Sequence, residues 1–154
     1  GTFRRDPTPQ KGIFTGLPPS LMMEPMMWYF LTGILERHPD LKIVWVEPGL
    51  FWIPGFLEFL DRRMHQHYNF PGVKELPSTY WKRQMAVTFV DEPEAVNNRY
   101  ELGIENLLWS TDFPHPCCNW PNAQAKVAEM FKDMPEEETD KITWGNGARM
   151  YGFA

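Results

Sequence analysis

Apolar residues in this chain fall into two kinds of run, one spaced by threes and fours and one unbroken, and the two kinds alternate. From about Pro25 to Arg37, Met27, Phe30, Leu31, Ile34 and Leu35 recur at three and four, the spacing that gathers side chains on one helix face. His38-Pro39 stops that helix. Ile43, Val44, Trp45 and Val46 then follow one another without alternation, as in a strand covered on both faces, and the run closes at Glu47-Pro48-Gly49. A second helix is predicted from about Trp52 to His65, with Pro54 tolerated in its first turn and Phe56, Leu57, Leu60 and Met64 on one side. A proline-containing connection leads to a short helical turn capped by Ser78 and to a second strand, Met85 to Phe89. Asp91-Glu92-Pro93-Glu94 starts a helix and Leu102-Gly103 stops it. The third apolar run, Leu107-Leu108-Trp109, delivers Asp112 just where Pro114 and Pro116 force extended or turn geometry around His115. Asn122 caps a helix to about Lys132 with Val127, Met130 and Phe131 inward, and a last helix from Pro135 to Gly145 precedes a turn over Ala148 to Tyr151.

Three strands, each followed by at least one helix, predict parallel strands with right-handed crossovers, an α/β class of fold. Residues 1–20 hold Pro7, Pro9, Gly12, Gly16, Pro18 and Pro19 and read as a loop, and residues 21–154 read as βα units with closing helices, without an internal domain boundary. At 154 residues and 43% apolar composition the chain can build one core. A net charge of −5 leaves no basic footprint for nucleic acid, so the expected partner is a small-molecule substrate. Cys117 and Cys118 are neighbours, which excludes a disulfide framework or a spaced structural zinc site and fits a reducing, cytoplasmic setting. No apolar run approaches the roughly 20 residues needed to span a bilayer.

Chemistry concentrates at the strand ends. Glu47 and Asp112 each close a strand and Asp91 lies just past another; parallel strands bring all three to one edge, where α/β folds place their sites. Each acid can equally cap the next helix, and Asp91, ahead of Glu92-Pro93-Glu94, reads mainly as such a cap. His65-Gln66-His67 sits at a helix end, where residues two apart point about 200° from each other, so the two rings do not converge on one ion. The Met22-Met23 and Met26-Met27 pairs read as core filler and Trp28-Tyr29 as helix surface or interface. Trp52 and Trp120 are candidates either for the walls of an aromatic pocket near the acids or for packing.

Glu36-Arg37-His38-Pro39-Asp40-Leu41-Lys42-Ile43-Val44-Trp45-Val46-Glu47, followed by Gly49, Trp52-Ile53-Pro54 and Leu60-Asp61-Arg62, resembles the sixth βα unit of the metal-dependent amidohydrolase-related family that includes aminocarboxymuconate-semialdehyde decarboxylase. Leu107 to Pro116 is similar to that family's last barrel strand, with its Ser/Thr-Asp-aromatic-Pro-His signature, and Gly145-Asn146-Gly147-Ala148-Arg149-Met150-Tyr151-Gly152 to its closing helix. The resemblance implies a TIM-type (β/α)8 barrel with its site at the carboxyl ends of the strands, one divalent metal, usually zinc, and hydrolysis or non-oxidative decarboxylation of small, often aromatic or carboxylated compounds. It implies that Asp112 binds the metal and, in hydrolytic members, takes a proton from the attacking water. His115 belongs to the same signature, as a ligand or as a donor orienting Asp112. Glu47 occupies a position where the family commonly has histidine, and is read as an alternative acid/base or ligand, or as a structural residue.

The family's His-x-His of the first strand and the histidine of its fifth strand have no counterpart here. A barrel of this kind needs about 250 residues, so the expectation is a single partial domain holding the C-terminal three βα units. Open strand edges then predict poor solubility or oligomerisation of the chain alone, and a homo-oligomer for the full-length protein. The rival reading is a non-catalytic barrel-derived protein that has lost the metal site and binds a ligand or partner chain.

Overall fold

The computed structural model describes residues 8–67, 70–115 and 118–153, and the side chains of residues 11 and 65–67 lie outside that description. Its elements run α1 (Pro9–Gly16), α2 (Pro18–Leu31), α3 (Ile34–Arg37), β1 (Ile43–Val46), α4 (Ile53–His67), α5 (Pro77–Gln84), β2 (Met85–Phe89), α6 (Glu94–Asn97), α7 (Arg99–Leu102), a 3-10 turn (Ile104–Asn106), β3 (Leu107–Trp109), α8 (Ala123–Met130), α9 (Glu136–Asp140), a π turn (Lys141–Gly145) and α10 (Asn146–Tyr151). The strands form one parallel sheet in the order β1-β2-β3. All three βα units of the sequence pattern are therefore present, and every strand run lies where the apolar run placed it.

Register divides the sheet into two faces. Ile43 pairs with Met85 and Trp45 with Val87, while Val87 pairs with Leu107 and Phe89 with Trp109; alternation puts these side chains together on the helix-covered face. Trp45, Met85, Val87, Phe89 and Leu107 join the main core with Met26 and Phe30 of α2, Leu57 and Leu60 of α4, and Trp81 of α5. Tyr29 meets Trp45 edge-on with ring centroids 5.8 Å apart. The other face carries Val44, Val46, Ala86, Thr88 and Leu108, and Val46 is 69% exposed. Among the described residues the outer edges of β1 and β3 have no strand partner.

Buried amides close the turns at the amino ends of the strands. Asn106 Nδ2 donates to the carbonyls of Trp81, Lys82 and Met85, where α5 runs into β2. Gln84 Nε2 donates to Leu35, His38 and Leu41 carbonyls at the end of α3, and Asn146 Nδ2 to those of Ile104 and Leu107. Gly103 is required before Asn106: its φ is +87, and a β-carbon there would collide with Asn106 Oδ1.

Several expectations are corrected. Residues 8–20 are not loop: Pro9 opens α1, and Pro18 and Pro19 stand in the first turn of α2, where a proline costs no helical hydrogen bond. The first amphipathic helix starts earlier than Pro25, which lies inside it, and breaks at Gly33, whose φ is +70, before α3. Ser78 does not cap α5; its backbone N–H donates to Asp61 Oδ1, so the cap comes from α4. The helix between Asp91 and Leu102 is two single turns broken at Asn98. Asn122 precedes α8 without a side-chain capping bond. The closing helices form one run from Glu136 to Tyr151, with the π turn between them. His65 to His67 end α4, and the Cys117 half of the cysteine pair lies outside the described residues.

Candidate active site

β1 and β3 end in the same way. Glu47, the residue after β1, has φ +50, and Asp112, three residues after β3, has φ +56; they are the non-glycine residues with positive φ among those described. The left-handed conformation costs an L-residue roughly 1–2 kcal/mol, so at both ends neighbouring groups must hold it. At Asp112 the holding group is local: its N–H donates to Ser110 Oγ (3.1 Å), and its carbonyl accepts from the His115 N–H (2.7 Å). At Glu47 the N–H donates across the sheet to Thr88 Oγ1 at 3.0 Å. The loop that follows is tied twice more, by Trp52 Nε1 donating to the Pro48 carbonyl (3.0 Å) and by the Leu50 N–H donating to Glu92 Oε2 (2.7 Å).

The two turns aim their acids at each other. Glu47 and Asp112 line the same cleft, near enough for the charge of one to act on the other. Burial first, and the negative charge of Asp112 second, raise the Glu47 carboxyl above its ordinary range, with His115 opposing them. Such a carboxyl retains a proton where an exposed glutamate has lost it. His115 Nδ1 donates to Asp112 Oδ2 at 2.8 Å, leaving the rest of its ring 61% exposed.

Glu47, Asp112 and His115 line a cleft of about 590 Å3 with Asp91, Glu92, Pro48 and Phe51. Its outer wall comes from the α1–α2 corner at Thr15, Gly16, Pro18 and Pro19. Among the described residues, four carboxylates and no lysine or arginine line it. Glu92 is held above the ordinary glutamate range, chiefly by burial. Asp91 pairs with Lys126 of α8 at 3.6 Å.

The structure thus brings Glu47, Asp112 and His115 together. It does not make Trp52 and Trp120 cleft walls: Trp52 is buried against Phe56, and Trp120 is exposed beside Phe113. The aromatic of the cleft is Phe51, 63% exposed. Phe51, Thr88 and Glu92 escaped the sequence reading. Glu92 was visible only as a helix-start acid, and Thr88 only as the hydroxyl in the otherwise apolar run Met85 to Phe89.

As a cation site the donor set is partial. Oxygen donors from two converging carboxylates suit a hard or borderline divalent ion. No group of three or more histidine, cysteine, aspartate or glutamate side chains is poised for a metal among the described residues, and a catalytic zinc takes three protein ligands. The residues therefore fit one or two positions of a site. Among the described residues no helix is long and apolar enough to cross a membrane.

Comparison with solved structures places this arrangement. A 5-carboxyvanillate decarboxylase from Sphingomonas paucimobilis is 28% identical, over 80% of this chain and 37% of its own, with a TM-score of 0.63. A dihydroxybenzoic acid decarboxylase from a Polaromonas species, with bound manganese and 2-nitroresorcinol, is 19% identical over 96% of this chain and 48% of its own (TM-score 0.71). An amidohydrolase from Mycobacterium avium subsp. paratuberculosis is 19% identical over 87% and 34% (TM-score 0.76). The chain thus spans between about a third and a half of the length of these structures, and its sheet and helices are a part of their α/β barrel fold. Curated proteins gave no match. The amidohydrolase family model matches residues 15–153, from the α1–α2 corner through all three βα units to the closing helix, and the chain belongs to that family.

Proposed function

We propose that this chain is the C-terminal three-unit part of a barrel enzyme that performs non-oxidative decarboxylation, or the related hydrolysis, of a small carboxylated aromatic compound with a divalent cation. The observation that carries the reading is the convergence of Glu47 and Asp112 at the carboxyl edge of the sheet, each held in a left-handed turn and facing one cleft. Strain of this kind, kept at two acids that meet, is what pre-organised sites store.

Asp112 would hold the cation through a carboxylate oxygen, with His115 Nδ1–H fixing which oxygen is offered. The remaining ligands would come from outside the described residues. The cation, zinc or manganese, supplies Lewis-acid polarisation of substrate oxygens and offsets the negative charge of the cleft. That charge supports a cation: a substrate carboxylate entering among Glu47, Asp91, Glu92 and Asp112 meets no lysine or arginine among the described lining residues. Phe51 and Pro48 offer a flat apolar wall suited to a ring.

Glu47 would carry the proton. With its carboxyl raised by burial and by Asp112, it can donate from Oε to the ring carbon that loses carbon dioxide, or accept a proton from an attacking water. The 28% identical 5-carboxyvanillate decarboxylase favours the first step.

The test is carbon dioxide release from hydroxybenzoic acids by the full protein loaded with manganese or zinc. Release that needs both the cation and Asp112 supports the reading. Absence of release and of amide or ester hydrolysis, in protein that holds its cation, overturns it.

A further inference from the structure

Glu47 is set by a residue of another strand. In the parallel register Val46 pairs with Thr88, so the ladder reaches its last paired position just before Glu47. Thr88 points to the sheet face shared by Val44, Val46, Ala86 and Leu108, where it supplies the one hydroxyl. That hydroxyl accepts the Glu47 N–H at 3.0 Å, and at this residue the backbone leaves the extended conformation for φ +50.

We infer that Thr88 is a positioning residue: by accepting the Glu47 N–H, its Oγ1 turns β1 into the left-handed corner that aims the Glu47 carboxyl at Asp112. An extended Glu47 would continue the alternation of β1 and send its side chain away from the face to which it now turns. The left-handed corner costs energy on its own and leaves one backbone donor without a ladder partner. In the turned geometry the Thr88 hydroxyl satisfies that donor. Glu92, accepting from Leu50 N–H at 2.7 Å, and Trp52, donating to Pro48, hold the far side of the same loop. They fix where the loop goes next, whereas Thr88 acts on Glu47 itself. Asp112 has its counterpart in Ser110, two residues back in the stretch that follows β3. The pair is thus set by two hydroxyls, one across the sheet and one local. Thr88 is not itself among the residues that line the cleft; it meets the site through the backbone N–H of Glu47.

The consequence for catalysis rests on the function proposed above, but the positioning does not, and the experiment separates them. Thr88→Val keeps the branched shape and removes the acceptor; Thr88→Ser keeps the acceptor and removes the methyl group. Crystal structures and amide exchange of the full chain are compared for both. The expected result is a Glu47 amide slowly exchanging in the wild type and in T88S but fast in T88V. T88V is expected to show Glu47 at negative φ, its carboxyl parted from Asp112, and the Leu50 amide still protected. Retention of φ near +50 and of the Asp112 contact in T88V overturns the inference, as does equal loss in T88S. Turnover of the full protein loaded with manganese or zinc adds the second arm, with carbon dioxide release lowered about tenfold in T88V and restored in T88S. If the cation-loaded wild type shows neither carbon dioxide release nor hydrolysis, the proposed function fails while the structural arms still decide the role of Thr88. Thermal melting guards against trivial unfolding: a T88V protein that melts with the wild type yet has lost the corner supports the inference.

Discussion

The imidazole of His115 donates from Nδ1 to Oδ2 of Asp112 across 2.8 Å, three residues along a loop that turns through proline on its way. With one carboxylate oxygen engaged by the ring, the other is left to face Glu47 and the cleft. The bond is a means of orientation rather than of stability, because the ring is largely in water. His115→Ala is therefore expected to leave the melting temperature almost unchanged. It should weaken divalent-cation affinity and turnover of the full protein by about 10–100-fold, read by calorimetric titration and steady-state rates.

Asp112→Asn removes the charge that faces Glu47 and replaces the carboxylate with a neutral amide, a poor ligand for the cation. Turnover is expected to vanish and cation affinity to collapse, with the fold intact by circular dichroism. Since Asp112 is the second cause of the raised Glu47 carboxyl, that group should titrate closer to its ordinary value of 4.5 in the variant, while burial keeps it above. Carboxyl-carbon NMR through a pH series reads the shift, and an upward move would contradict the pairing.

Glu92 gives a pH dependence of stability. Burial raises its carboxyl above 4.5 in the folded chain, so the folded state binds the proton more tightly than the unfolded state. Its contribution is fully present below pH 4.5 and is lost as pH rises through the raised folded value. Glu92→Gln retains an oxygen for the Leu50 N–H and cannot ionise. The variant should match the wild type in urea denaturation below pH 4.5 and exceed it in stability at neutral pH.

Asn106 tests the amino-terminal side of the sheet. Its Nδ2 serves three carbonyls while the residue is 4% exposed. Asn106→Leu strands those acceptors and is expected to lower stability by about 3 kcal/mol, measured by urea denaturation. It should leave the Glu47–Asp112 geometry unchanged, because the amide lies at the opposite end of the strands.

The sequence by itself determined the strands and much of the site. Short runs rich in β-branched and aromatic residues at Ile43–Val46 and Met85–Phe89 suit buried strands, and helical spacing between them left parallel pairing as the solution. Asp112 and Glu47 were legible because they stand where those runs stop. The proline-rich start was misread since proline in a helix's first turn and proline in a loop look alike in sequence. Only the folded chain shows which case holds at Pro9 and Pro18.

What tertiary structure alone decided is how the acids are set. Left-handed backbone at Glu47 and Asp112 is unfavourable locally, so no propensity in the sequence announces it. At Glu47 it comes with a hydrogen bond to the Thr88 hydroxyl, 41 residues away, and the raised Glu47 carboxyl depends on burial and on Asp112 from another strand end. Propensity acts along the chain, whereas hydrogen-bond satisfaction and charge act through space, and the latter two made a pair out of two separate strand ends.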